Sequence, residues 1–191
     1  MKKLKFISLG LFFFIKIFSP TLSLCSEYAI LEAQKVKFQY HIGIFLFEGF
    51  FTLQDSIFVI DFKNPSASKL RLQIDLNSSS AGFFLATSAM LGESVLHVEK
   101  YPRIIFESKR ISVKGHEFTI VGDATIRGIT KEITLAAILQ NPETLDSQNK
   151  SNLKFQILAK LNRRDFNATG YANVVGDVID LNSTVDLVTK D

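Results

Sequence analysis

The chain has 191 residues, with 22 Lys or Arg, 19 Asp or Glu and a single cysteine. Four of the basic residues and none of the acidic ones lie in residues 1–25, so the rest carries 18 basic and 19 acidic groups, a net charge of −1. This balance argues against nucleic-acid binding, which needs a net basic face, and one cysteine excludes an intramolecular disulfide.

The first 26 residues have the pattern of a secretion signal. Three lysines precede an apolar run over 6–18, and a Ser-Pro pair follows it. This run is typical of an export signal and is too short and interrupted to span a membrane well. We therefore predict export and a single domain over residues 27–191, with a retained N-terminal anchor as the alternative.

The site of processing has two interpretations. The four residues 22–25 resemble the lipobox of bacterial lipoproteins, in which Cys25 would be acylated and would tether the protein to a membrane. Leu24 departs from that pattern, because the lipobox has a small residue immediately before the cysteine. Ordinary cleavage just after Cys25 or Ser26 is the alternative, and it would release a soluble protein.

Apolar and polar residues alternate along most of the chain after residue 35. Successive side chains of a strand point to opposite faces, so this period of two predicts strands with one apolar and one polar face. The first strand is predicted over 35–46 with a bend at Gly49, and the second over 56–62. The third, over 69–76, shows the clearest alternation.

The alternation of apolar and polar residues is interrupted over residues 77–100. A Ser-rich loop is predicted over 77–82, and the mixture of Ala, Met, Leu and Glu over 83–98 favours one or two short helices. Strands then resume and are separated by turn signals at 115–116 and 127–129 and by a polar loop at 140–152. These later strands are predicted over 103–109, 111–114, 117–126, 131–139, 153–161 and 179–187.

The element pattern predicts an all-β fold. About eight strands without regular intervening helices indicate an antiparallel sheet. Strands of this length leave exposed edges unless the sheet closes or doubles. The pattern by itself leaves a closed barrel and a two-sheet sandwich equally open.

Five stretches, taken in order, carry a family resemblance. The stretches are 38–44 with 48–50, 60–65 with 68–69, 99–108, 121–131, and 161–166 with 178–185. Together they resemble the YceI-like family of exported bacterial polyisoprenoid-binding proteins. The resemblance implies an eight-stranded antiparallel lipocalin-like barrel that encloses a long isoprenoid chain, location in the periplasm, and binding rather than catalysis.

The resemblance breaks down at 82–91. The family often carries an Arg-Asp pair and a His-Leu pair before the helical segment, whereas this chain reads GFFLATSAML there. The polar contacts that such residues would make are therefore missing, and the chemistry at the mouth of the barrel is expected to differ.

Apolar residues on the inward parity are the predicted lipid-binding residues. On the pattern alone they would more simply fill a solid core, and the family resemblance favours a hollow one. The candidates for the cavity wall are Phe38, Ile42, Leu72, Ile74, Phe106, Phe155 and Ile157.

Three polar residues are candidates for contacting a lipid headgroup: His41, Arg127 and Arg164. Guanidinium groups suit phosphate oxygens. The structural alternatives are that Arg127 pairs with Asp123, and that Arg164 ties the turn at Asp165 to a neighbouring strand.

No motif in the sequence places a nucleophile beside a base, and Glu93 with His97 is too small a set for a metal site. We therefore predict a non-enzymatic protein without a metal or cofactor, whose partner is an isoprenoid lipid such as a prenyl phosphate or a quinone. An outer-membrane eight-stranded barrel is the alternative, because its strands alternate too. The lipid's identity and the oligomeric state are not fixed by the sequence.

Overall fold

The computed structural model describes residues 26–30, 34–146 and 152–190, so the predicted secretion signal and Cys25 lie outside the described residues. The described chain is mostly β-structure, with two α-helical segments and two 3-10 turns, Pro65–Ala67 and Arg163–Phe166. Its elements are β1 (Ser26–Ile30), β2 (Lys35–Ile42), β3 (Phe45–Ile60), β4 (Lys69–Ser80), α1 (Phe84–Leu91), β5 (Arg103–Lys114), β6 (Glu117–Ile126), β7 (Ile129–Leu139), α2 (Glu143–Asp146), β8 (Asn152–Asn162) and β9 (Val178–Thr189).

Strands β2 to β9 form a closed antiparallel barrel, which confirms the predicted fold class. Each strand pairs with the next in sequence, and β2 closes the ring on β9 with Phe38 opposite Leu181. The short β1 lies in the same seam, between β3 and β9, where Tyr28 faces Phe58 and Thr189. Strands β1 and β2 thus share one position in the ring, and both protect the seam edges that would otherwise attract another strand.

The two ends of the barrel carry different connections. One end, called the apex below, holds the β2–β3 hairpin, the segment 81–102 with α1, the turn at 127–128 and the segment 163–177. The other end, called the base, holds the β3–β4, β5–β6 and β7–β8 connections. Strand β1 begins at the base, since Ser26 pairs with Ile60 at the end of β3.

The predicted first strand is wrong in its extent. A turn at Gly43, with φ of +58°, ends β2 and sends the chain back as β3. Glycine adopts this left-handed conformation without the steric cost that other residues meet. The alternation continues across the turn, so Ile44 and Leu46 continue the inward pattern of β2 in the sequence, yet the structure leaves them 88% and 55% exposed.

The other differences concern boundaries. Gly49, the expected bend, lies inside β3, where a Cβ atom would come within 2.4 Å of the Phe38 ring, and the pairing of β3 with β4 shifts register just after it, between Phe50 and Thr52. The Ser-rich loop begins later than predicted, because β4 continues to Ser80 while the Ser79 hydroxyl donates to the Asp75 carbonyl. The two strands predicted over 103–114 are one strand with a register shift between Ser108 and Arg110.

A single short helix, α1, occupies the predicted helical region. Beneath it, Phe38 and Tyr40 form a small apical cluster in which the Phe38 ring stacks on Phe51 at 4.3 Å between centroids. The Tyr40 hydroxyl donates to the Ala81 carbonyl at 2.8 Å. This contact fixes the start of the segment 81–102 over the end of the barrel.

Candidate functional site

An apolar cavity of about 180 Å³ lies inside the barrel. Its wall is built from the inward-facing residues of strands β2 to β9, because the period of two sends the apolar half of each strand to the interior. Among the residues that line it, the polar side chains are those of Ser68, Lys69 and Arg163. The rest of the wall consists of aliphatic and phenylalanine side chains.

Partial exposure of inward-facing side chains shows that the interior is hollow. Leu72, Ile74 and Ile157 line the cavity but are only partly buried, although they point into the barrel. In a close-packed interior they would be covered as completely as Leu153, which is 1% exposed. Their uncovered surface is the apolar wall of the cavity.

The size of the cavity limits what it can hold without movement. An engineered apolar cavity of about 150 Å³ admits benzene, a six-carbon ring. A volume of about 180 Å³ therefore accommodates roughly one isoprene unit and little more. A longer chain has to displace side chains of the wall or of the apex.

Five of the seven predicted wall residues lie on the cavity: Leu72, Ile74, Phe106, Phe155 and Ile157. Phe38 and Ile42 do not line it and pack instead in or against the apical cluster with Tyr40 and Ala81. The role of all seven in holding a lipid stays a prediction.

Arg163 closes the apical end of the cavity. Its side chain is 6% exposed and lines the cavity wall. Its guanidinium donates to the carbonyl oxygens of Gly176 (2.9 Å), Ala168 (2.5 Å), Gly170 (2.8 Å) and Val175 (2.9 Å). One buried side chain therefore satisfies four backbone acceptors of the segment 163–177 and holds that segment across the barrel.

The charge at this closure is only partly compensated. Asp177 Oδ1 lies 2.7 Å from Nε of Arg164 and 3.4 Å from Nη2 of Arg163, so two guanidinium groups share one carboxylate. Burial lowers the pKa of Arg163, and the negative charge of Asp177 raises it again. Because guanidinium stays protonated in proteins, the site carries a net positive charge.

None of the three predicted headgroup residues is among the residues that line the cavity. His41 is exposed at the end of β2, where its backbone carbonyl accepts from the Gly176 amide. Arg127 donates from Nη2 to the Glu93 carbonyl at 2.7 Å and from Nη1 to the Asn167 carbonyl, so it joins the two apical segments. Whether any of the three contacts a headgroup stays a prediction.

The two structural alternatives for these arginines have different outcomes. Asp123 pairs with Lys109 at 2.7 Å rather than with Arg127. Arg164 pairs with Asp177, the residue before β9, so it does tie the turn at Asp165 to a neighbouring strand, and Asp165 itself pairs with Lys131 of β7 at 3.4 Å.

Sequence reasoning missed Arg163 although the signal was present. In β8 the inward residues are the odd-numbered ones, such as Leu153, Phe155 and Ile157. Continuing that count by twos from Leu161 places Arg163 inside the barrel and Arg164 outside. The structure shows this arrangement, with Arg163 buried and the Arg164 side chain 48% exposed.

The outer wall of the barrel is polar. Ion pairs join neighbouring strands there, including Arg71 with Glu107 and Lys160 with Asp180. An outer-membrane barrel requires the opposite arrangement, with an apolar band facing the lipid. Within residues 26–30, 34–146 and 152–190, no helix has the length and hydropathy needed to cross a bilayer, and no three His, Cys, Asp or Glu side chains cluster as metal ligands would.

Comparison with known proteins places this barrel among relatives. Residues 28–187 match the model of the YceI-like domain. A protein from Salmonella agona named Protein YceI is 32% identical over 165 residues, which cover 84% of this chain and 86% of that protein. A UPF0312 protein from Yersinia pestis is 30% identical over 129 residues, covering 68% and 67% respectively.

Two solved structures share the architecture. BcnA from Burkholderia cenocepacia superposes with a TM-score of 0.68 at 18% identity, over 81% of this chain and 99% of that one. A polyisoprenoid binding domain from Saccharophagus degradans, implicated in plant cell wall breakdown, superposes with a TM-score of 0.62 at 13% identity, over 85% and 98%. At these identities the two structures establish a common fold.

Proposed function

The chain belongs to the YceI-like domain family, and from this membership and its apolar cavity we propose that it binds the hydrocarbon chain of an isoprenoid lipid inside the barrel. The observation that carries the proposal is the hollow interior, where inward-facing Leu72, Ile74 and Ile157 leave apolar surface uncovered. The polyisoprenoid-binding domain of the same fold supports an isoprenoid as the ligand class.

Burial of hydrocarbon supplies the binding energy. Transfer from water stabilises each buried CH2 group by about 0.8 kcal/mol. One five-carbon isoprene unit is therefore worth up to about 4 kcal/mol before the cost of ordering the chain. A single unit in the cavity as it stands gives weak binding, and tight binding requires a longer chain together with widening of the barrel.

The polar end of the ligand is proposed to lie at the apex. Arg163 lies on the cavity wall there, and Arg163 with Arg164 exceeds the charge of Asp177 by one. This excess positive charge favours a prenyl phosphate over a quinone, because guanidinium groups bind phosphate oxygens well. The protein acts in this proposal as a carrier or store of lipid, without catalysis, after export to the periplasm, either soluble or tethered through Cys25.

The proposal is tested on protein produced from the full chain in a bacterial host. Native mass spectrometry of the exported protein should show a co-purified isoprenoid, and mass analysis of the mature N-terminus should show whether Cys25 is retained and acylated. Protein that is free of lipid and also rejects added geranylgeraniol and geranylgeranyl phosphate would overturn the function.

Titration with a matched set of lipids distinguishes the possible ligand classes. Geranylgeranyl phosphate, geranylgeraniol, a short-chain ubiquinone and a saturated twenty-carbon fatty acid are titrated against the same preparation. We expect the prenyl phosphate to bind best. Equal binding of the fatty acid would show a general lipid carrier instead, and preference for the quinone would contradict the role proposed for the apical arginines.

A further inference from the structure

The exposed large apolar side chains of the described residues concentrate at one end of the barrel. The tip of the β2–β3 hairpin presents Ile44, Phe45 and Leu46, which are 88%, 67% and 55% exposed. The start of the segment 81–102 presents Phe83, Phe84 and Leu85, and the segment 163–177 presents Tyr171 and Val174. These eight residues are called the apical patch below.

Contacts between the three segments make the patch continuous. The Phe47 ring, next to the hairpin tip, lies 5.5 Å from the Phe83 ring. The Gly43 amide donates to the Val174 carbonyl at 2.9 Å, which joins the hairpin to the segment 163–177. Leu85 and Tyr171 line the same surface cleft. Each segment therefore touches both others, and the patch surrounds the closed end of the barrel.

Charge is absent from the sequence of all three segments over the stretches that form the patch. Residues 42–47, 77–92 and 167–176 contain no Asp, Glu, Lys or Arg. The outer wall, in contrast, carries ion pairs between its strands. The patch is thus an uncharged apolar area at an end of the barrel that elsewhere carries charged groups, among them Glu93, Arg127 and Arg164, and such an area is expected to be buried against a partner or a membrane.

The shape of the patch distinguishes lipid from a protein partner. Phe45 and Leu46 are consecutive in a strand, so they point in opposite directions, and both are exposed. Phe84 and Leu85 are consecutive in a helix and lie on adjoining sides, again both strongly exposed. A folded partner covers one face of such a tip, whereas the interior of a bilayer surrounds it on all sides and removes both faces from water.

From these observations we propose that the apex of the barrel docks onto a lipid bilayer, with the hairpin tip and the start of α1 inserted among the acyl chains. The inserted side chains are uncharged, so docking is driven by the burial of apolar surface rather than by attraction to anionic headgroups. Docking stands on the patch alone, while its use in loading or delivering a lipid rests on the proposed function.

The first measurement is flotation with vesicles of phosphatidylcholine, using the exported protein from the full chain. We expect the protein to float with these neutral vesicles, and to do so equally in 0.1 M and 1 M NaCl, because salt screens charge but does not weaken apolar insertion. The double variant Phe45→Ser/Phe84→Ser should lower the partition coefficient at least tenfold. The matched control is Ile57→Ser, an apolar side chain on the barrel wall that is 40% exposed, which should leave partitioning unchanged.

A second measurement uses the absence of tryptophan from the chain. Phe84→Trp introduces a single fluorophore into the patch, and Ile57→Trp introduces one on the wall. With vesicles containing brominated acyl chains, emission from the first should shift to the blue and be quenched at least twofold, while the second should not change.

Three results would overturn the docking proposal: a wild-type protein that stays with the aqueous fraction, binding only to anionic vesicles at low salt, and a protein that forms dimers through the patch without binding vesicles. Binding of geranylgeranyl phosphate in vesicle-free buffer is measured on the same Phe45→Ser/Phe84→Ser variant and should be unchanged. Loss of vesicle binding with retained ligand binding would leave the proposed function in place, and retained vesicle binding without ligand binding would leave docking in place.

Discussion

Enlarging one side chain on the cavity wall tests whether the interior is hollow. Leu72→Phe adds three carbons to a side chain that faces the cavity and is only partly buried. If these carbons fill empty space, burial at about 0.8 kcal/mol per carbon stabilises the free protein by up to about 2 kcal/mol. They also occupy volume that the ligand needs, so the binding free energy weakens by the same roughly 2 kcal/mol, which raises the dissociation constant about thirtyfold.

The matched control is Leu153→Phe. Leu153 is 1% exposed and lies outside the set of residues that line the cavity. The same added carbons meet a packed environment there and should destabilise the protein by about 1–3 kcal/mol. Both variants are compared by urea denaturation without ligand and by titration with geranylgeranyl phosphate.

The signs of the two measurements decide the question. We expect Leu72→Phe to keep or raise the free energy of unfolding while weakening the ligand, and Leu153→Phe to lower it. An equal loss of stability in both variants would mean that Leu72 is close-packed and the wall is solid. A stabilised Leu72→Phe with unchanged affinity would mean that the ligand binds somewhere other than this cavity.

Three further predictions concern single residues that stabilise the barrel. The Arg163 guanidinium donates to four carbonyls, whereas a lysine carries its three donors on one nitrogen, so Arg163→Lys should lower the free energy of unfolding by about 2–4 kcal/mol in a urea titration. In the same titration, Arg164→Lys, a change at an exposed side chain, should alter the free energy of unfolding by less than about 1 kcal/mol. Gly49→Ala puts a Cβ within 2.5 Å of a backbone carbonyl of β4 and should lower the free energy of unfolding by at least about 2 kcal/mol. Gly115 has open space around it, so Gly115→Ala should lower the free energy of unfolding by about 1 kcal/mol, because of the positive φ. Thermal melts of both variants measure the difference. A hydrogen bond from a serine hydroxyl lowers the pKa of Asp75 from its ordinary 3.8. The stabilisation by the ionised Asp75 carboxylate is therefore present at neutral pH and is lost as the pH falls below that value. Wild type should be more stable than Asp75→Asn at pH 7, and this difference should shrink at pH 3.

Local alternation in the sequence predicts most of the strands and which side chains of β4 and β8 face inward. Neighbouring side chains of a strand point to opposite faces, so the alternation places Leu72 and Ile74 of β4 inside without knowledge of which strands pair with β4. The same rule identifies Phe155 and Ile157 on β8. The fold class then follows from the number of such strands and from the family resemblance.

Features that depend on a change of direction were harder to predict. At Gly43 the alternation continues unbroken through a turn, so the pattern could not show where β2 ends. Ile44 and Leu46 therefore appeared to extend the inward face, whereas the reversal sends them into solvent. Whether the interior is hollow also lies beyond any single strand, because it depends on the diameter that eight strands enclose and on how far their side chains reach.

The base and the apex close the barrel by different interactions, and the difference bears on how a lipid chain would enter. At the base, the Phe118 ring packs edge-on against Phe155 at 5.3 Å and against Phe62 at 6.3 Å, and Ser68 and Lys69 also line the cavity there, so aromatic packing is the main but not the sole closure. At the apex, closure depends on hydrogen bonds from Arg163 to backbone carbonyls, which are polar groups that water or phosphate oxygens can replace. Separating aromatic rings at either end would expose hydrocarbon to water without compensation, whereas release of Arg163 from the segment 163–177 leaves groups that a phosphate headgroup and solvent can satisfy. We therefore expect the apex, which also carries the apical patch, to be the end that opens.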